Sequence, residues 1–89
     1  MKAVVDVRRH ILAIGGELHS DDEALLLDEG SQQNDLWGIN LYPDEASEAW
    51  IEFDSMINVR PAQANRSRTV ENEDLRARIT AVVAALITD

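Results

Sequence analysis

The stretch Asn58–Arg68 reads NVRPAQANRSR and carries three of the chain's seven arginines. The rest of the chain is acidic, with 17 Asp and Glu against 8 Lys and Arg and a formal net charge of -9. Guanidinium forks match carboxylates and phosphates, and neutral amides and hydroxyls add donors beside them. Arg60, Gln63, Asn65, Arg66 and Arg68 therefore support two chemistries. One is an internal clamp on the protein's own acids, with Asp54 or Glu52 as partners. The other is a site for an external anion, a small metabolite or an acidic partner. The clamp is the preferred reading, because surplus acids surround the stretch.

A second constellation precedes it. In WIEFDSMINVR (Trp50–Arg60) the residues alternate as on a half-buried strand. The even positions put Glu52, Asp54, Asn58 and Arg60 on one side, and Asn40 and Tyr42 join them from the preceding apolar run. Carboxylates at i and i+2 on one strand face stand roughly 7 Å apart. That spacing makes Glu52 and Asp54 weak candidates for acid–base work. Trp50 and Met56 share this face. Large apolar groups around polar ones mark a cleft or a partner surface, here Asn40, Tyr42, Trp50, Met56 and Asn58.

Other chemistries lack their residues. The cluster His19, Asp21, Asp22, Glu23 reads as a capped helix start rather than a metal site, and no paired-histidine helix motif or calcium loop is present. No metal and no cofactor is expected. Gly15-Gly16 fits neither phosphate-binding glycine motif, and no nucleophile elbow surrounds any serine. Ser55, between Phe53 and Ile57 on the inward side, reads as a small residue making room for a neighbour. With no cysteine the chain has no disulfide, thiolate nucleophile or thiolate metal ligand, and it fits a reducing compartment. The acidity argues against nucleic acid. No run reaches the ~18 apolar residues of a membrane span, and MKAVVDV is not a signal peptide, so a cytoplasmic location is expected. With no catalytic motif in sight, a non-enzymatic role is favoured.

The elements that must position these residues follow from local pattern. KAVVDV and the run ending at Gly15-Gly16 read as two strands joined through RRH, with Asp6 and Arg8 on the polar face. Asp21–Glu29 reads as a short helix, N-capped by Ser20 with Glu23 completing the box and Gly30 at C′. It should bury Ala24, Leu27 and one of Leu25 or Leu26, and the residues after Gly30 have room for one further turn. Gly38–Pro43 reads as a strand, Pro43–Ala49 as a polar connection, and Trp50–Arg60 as the longest strand. The last segment is an amphipathic helix: Leu75, Ile79, Val82, Val83, Leu86 and Ile87 share a stripe behind an Asn72 cap. The expected fold is α+β in one domain, residues 1–89. Its order is ββαββα, a four-stranded, mainly antiparallel sheet with two helices on one face. Phe53, Ile57, Ile79 and Val83 should form its centre.

The blocks KAVVDV, AIGGELH, EALLL, DLWGINLYP, WIEFDSMINVRP and NRSR occur in that order. In this the chain resembles an uncharacterised family of short bacterial and archaeal proteins, a domain of unknown function, over roughly Lys2 to Leu86. The resemblance implies no activity. It implies that relatives carry a further segment before KAVVDV, which leaves open what covers the first strand. Two helices on one side leave the other sheet face bare, with Trp50 and Met56 on it, and an unpaired first strand invites another copy. The expected partner is thus a second copy in a homodimer. The rival is an anionic metabolite, or an acidic protein partner, at the Arg60–Arg68 stretch.

Overall fold

The computed structural model describes residues 1–45 and 49–87. The expected polar connection falls partly on residues 46–48, outside the described residues. In chain order the elements are β1 (Lys2–Asp6), β2 (Ile11–Ile14), α1 (His19–Asp28), β3 (Leu36–Leu41), β4 (Ile51–Glu52) and α2 (Glu73–Leu86). Short 3-10 turns lie at Gln33–Asp35, Met56–Asn58 and Pro61–Gln63. The strands form one antiparallel sheet in the order β2-β1-β3-β4. This is the α+β fold and the ββαββα order that the pattern calls for.

The helices cover opposite faces of the sheet, not the same one. Ala3, Val5, Val7, Trp37, Ile39 and Leu41 pack with Val70 and with Ile79, Val82 and Val83 of α2. Val4, Ala13 and Leu36 pack instead with Leu26 of α1. The cause lies in the central strands. β1 and β3 carry buried apolar residues on both sides, and a strand buried on both faces needs a layer on each. β1 consequently lies inside the sheet between β2 and β3, and the outer strands are β2 and β4.

Local chemistry explains the boundaries. Asp6 is fully buried, not on a polar face. Its carboxylate accepts the backbone N–H groups of Arg8 and Arg9, both at 2.9 Å, and the Ser31 hydroxyl at 2.6 Å. An aspartate bonding the backbone just after it makes the turn that RRH alone does not specify. α1 begins earlier than expected. Leu18, not Ser20, is its N-cap, and the Asp21 carboxylate accepts the Leu18 N–H at 3.1 Å. Gly30, with φ of +101°, closes the helix as expected. Its N–H reaches Leu27 O and that of Ser31 reaches Leu26 O, a Schellman pair. Of the apolar residues in α1 only Leu26 is buried; Ala24, Leu25 and Leu27 are exposed. α2 buries its stripe at Ile79, Val82 and Val83, whereas Leu86 is 52% exposed and Ile87 caps the end; the Asn72 side chain accepts the Leu75 N–H at 3.0 Å.

The largest departure is the long strand. Only Ile51 and Glu52 pair with β3; the chain then leaves the sheet and turns at Met56–Asn58. Two residues force this. The Asn58 amide donates to Gly38 O (2.9 Å) and accepts from Gly38 N (2.8 Å), so a side chain replaces the strand backbone on that part of the β3 edge. Ser55, 1% exposed, packs onto Gly38. A Cβ built on Gly38 would stand 2.6 Å from Ser55 Cβ. The small side chain at Ser55 does make room for a neighbour, and that neighbour is backbone. Leaving the sheet also splits the expected core: Phe53 packs beside Ile79 and Val83, whereas Ile57 packs on the α1 side.

Candidate functional site

The sheet face beneath α1 changes character along its length. On β1 the residues facing α1 are Lys2, Val4 and Asp6, and on β3 they are Leu36, Gly38 and Asn40. Register sets Lys2 opposite Asn40 and Asn40 opposite Glu52. One end of this face, Val4 and Leu36, is covered by Leu26 beside the buried, hydrogen-bonded Asp6, and the other is a polar row across three strands. In that row Asn40 donates to Glu52 Oε1 at 2.9 Å and to Asp54 O at 3.1 Å. The Tyr42 hydroxyl donates to the same Glu52 oxygen at 3.2 Å. That bond, together with the carboxylate's charge, holds the Tyr42 phenol above its usual range. Glu52 and Asp54, the weak acid–base candidates, thus have separate partners. Asp54 is paired with Arg68, Nε to Oδ1 at 2.9 Å, in an exposed ion pair.

A cleft of about 380 Å³ opens beside this row, between the start of α1 and the segment that crosses Gly38. Lys2, His19, Ser20, Asn40, Asp54 and Arg68 supply its polar groups, and Leu18, Met56 and Ile57 its apolar wall. His19 Nε2 lies 2.7 Å from Ile39 O. A carbonyl only accepts, so Nε2 carries the hydrogen and Nδ1 faces elsewhere. Met56, 67% exposed, is the most open large apolar side chain among the described residues.

The arginine stretch does not converge on one point. Arg60 turns inward. Its Nε donates to Ile57 O (2.9 Å), one terminal nitrogen to Gln33 O (2.7 Å) and Gln63 Oε1 (3.2 Å), and the other to Leu36 O. Its guanidinium also lies 4.4 Å from the centroid of the Trp37 ring. Burial lowers its pKa from the usual value, opposed by the nearby charge of Glu23. Gln63 extends the contact by donating to Asn34 O at 3.0 Å. Arg60 thus clamps, but onto backbone carbonyls rather than carboxylates.

Asn65, 3% exposed, is a second internal hub. Its amide nitrogen lies 2.7 Å from Asn58 O, 2.7 Å from Thr69 O and 3.1 Å from Ser67 O, and its oxygen accepts the Glu71 N–H at 2.8 Å. The Arg66 side chain makes no hydrogen bond or ion pair among the described residues. Its backbone N–H, with the hydroxyl and N–H of Ser67, binds Glu71 Oε2. The Arg66 N–H, then the Ser67 hydroxyl and N–H, hold the Glu71 carboxyl below its usual range.

The partner surface read from the sequence divides in the same way. Asn40, Tyr42 and Met56 remain on the outside. Asn58 is fully buried because the chain turns away from the sheet after Glu52, and Trp50, just before β4, packs against the core on the α2 side. Pattern reading passed over Lys2, Asp6, Gly38 and Glu71. For Gly38 the signal was a glycine within an otherwise large-residue strand. For Asp6 it was an aspartate two and three residues ahead of the turn's N–H groups.

No curated protein and no solved structure matches the chain. The family model described as "Protein of unknown function (DUF5674)" matches residues 1–86. A match over nearly the whole length shows the family, and the chain belongs to DUF5674.

Proposed function

We propose that this domain is a non-enzymatic module that acts by association, pairing with a second copy along the outer edge of β2. The observation that carries this reading is the composition of that edge. β2 is Ile11-Leu12-Ala13-Ile14, the outermost strand, paired on one side by β1. It holds no charge, no proline and no bulge. Those are three of the devices by which edge strands avoid recruiting another strand, and the four-residue β2 keeps only shortness. Ile14 is 46% exposed at its end. An antiparallel β2–β2 pairing across a twofold axis would satisfy the unpaired backbone groups of both copies and join two four-stranded sheets into one. The bare sheet face that first pointed to a dimer is absent, since α1 and α2 take one face each; the edge replaces it as the support.

The test is the mass in solution. Sedimentation velocity at high micromolar concentration should give twice 9.9 kDa for the unaltered chain. Ile14→Lys installs an edge charge at a half-exposed position and should return the chain to 9.9 kDa with its fold intact. A monomeric unaltered chain at that concentration refutes the proposal.

A further inference from the structure

The cleft beside Lys2 has a donor surplus that the rest of the molecule does not use. Asp54, the carboxylate in its lining, is engaged, and so is Glu52 next to it. Glu52 accepts from Asn40 and Tyr42, and Asp54 is paired with Arg68. By contrast the Lys2 ammonium, the chain's sole lysine, has no hydrogen bond or ion pair among the described residues, and neither does the Ser20 hydroxyl. Both line the cleft. Lys2 is kept apart because its strand neighbour across the register is Asn40, a neutral amide that itself occupies Glu52.

We infer that this cleft binds a small organic oxyanion with a short apolar body. The anionic head lies between the Lys2 ammonium and the Ser20 hydroxyl, with the Arg68 guanidinium at the rim. The carbon skeleton lies against Leu18, Met56 and Ile57. A cavity of about 380 Å³ falls at the small end of the size that ligand pockets occupy, and an apolar wall with a few polar groups is their usual make-up. The exposed Leu18 and Met56 side chains, 59% and 67% open, have their apolar surface beside the polar groups that would fix the head. This inference is independent of the pairing along β2, because none of Ile11–Ile14 lines the cleft.

The experiment is an amide NMR titration with hexanoate, with acetate and inorganic phosphate as parallel probes at matched ionic strength. Hexanoate should shift the amides of Lys2, Ser20, Asn40 and Met56 saturably. Acetate, which has the head without the body, and phosphate should bind more weakly. Lys2→Gln and Met56→Glu should each weaken hexanoate binding at least about tenfold. The second substitution lies at an open position, so it leaves the fold in place if Lys2→Gln does not. Arg66→Gln, outside the cleft, should leave the titration unchanged. Three results overturn the inference: shifts that never saturate, equal binding in Lys2→Gln and Met56→Glu, or shifts centred on Arg8, Arg9 or Arg66. Phosphate binding as tightly as hexanoate overturns the assignment of an organic ligand.

Discussion

Replacing Arg60 by Gln is the sharpest test of how the basic stretch works. The guanidinium spends four of its five N–H groups on Ile57 O, Gln33 O, Gln63 Oε1 and Leu36 O. Hydrogen bonds from a charged donor contribute about 1.5–3 kcal/mol each when buried. The contact with Gln33 is exposed and water can replace it, so the four do not sum. The stacking on Trp37 adds about 0.5–1 kcal/mol. A net loss of about 2–4 kcal/mol follows, against a total of about 5–10 kcal/mol for a domain of this length. Arg66→Gln removes a side chain with no partner among the described residues and should change stability by about 0.5 kcal/mol or less. Urea unfolding followed by tryptophan fluorescence reads both variants. With a slope near 1 kcal/mol per molar, the Arg60→Gln midpoint should fall by about 2 M or more. Arg60→Lys keeps the charge and loses the fork, so it should recover little. A full recovery by Lys, or equal midpoints for Arg60→Gln and Arg66→Gln, would refute an internal clamp built on geometry.

Two further outcomes follow from the buried polar groups. Asn58→Ala strips Gly38 of both its amide partners and Arg68 O of one of its two, the other being the Ser55 N–H, and should cost about 2–4 kcal/mol in the same urea assay; a loss under about 0.5 kcal/mol would show that water reaches this edge and that the amide does not hold it. Asp22 is 2% exposed, with Oδ1 taking the Gly16 N–H and Oδ2 unpartnered among the described residues. Burial raises its pKa above 3.8, aided by Asp21 and opposed by the Gly16 bond and His19. A folded pKa above the unfolded one makes the native state bind more protons within that window, so stability falls as pH rises through it. The penalty is fully present at neutral pH and absent below the ordinary aspartate range. The melting temperature of Asp22→Asn relative to the unaltered chain should therefore be more favourable at neutral pH than in acid, and a pH-independent difference would contradict the burial argument.

What the sequence made legible, and what it hid, divides along one physical line. Elements whose residues interact mainly with their chain neighbours were readable: the α2 stripe behind Asn72, the Gly30 stop of α1, and the order ββαββα. Features set by contacts between distant residues were not. The alternation in Trp50–Arg60 is a genuine strand pattern, yet the strand stops at Glu52, because Asn58 and Gly38 meet 20 positions apart and Ser55 fits only over a residue without a Cβ. No periodicity encodes that encounter. The same break turned Asn58 from a surface residue into a buried one, and it carried Met56 and Arg68 to the cleft beside Lys2.

The arginine stretch shows the same division. Its composition revealed that it would hold something. What Arg60 holds, backbone carbonyls at the start of β3, depends on a turn at Gln33–Asp35 that brings those carbonyls within reach. The acidity of the chain pointed toward carboxylates as partners, but Arg60 is held by carbonyls, with Glu23 acting on it only through its charge. Among the described residues Arg68 alone of the three forms an ion pair, and its pair with Asp54 is exposed enough to contribute at most about 1 kcal/mol. The rigidity of the loop therefore comes from the neutral residues between the arginines. Asn65 and Ser67, with the Glu71 that follows, fix the backbone; Arg68 is thereby held at the rim of the cleft rather than used to build the fold.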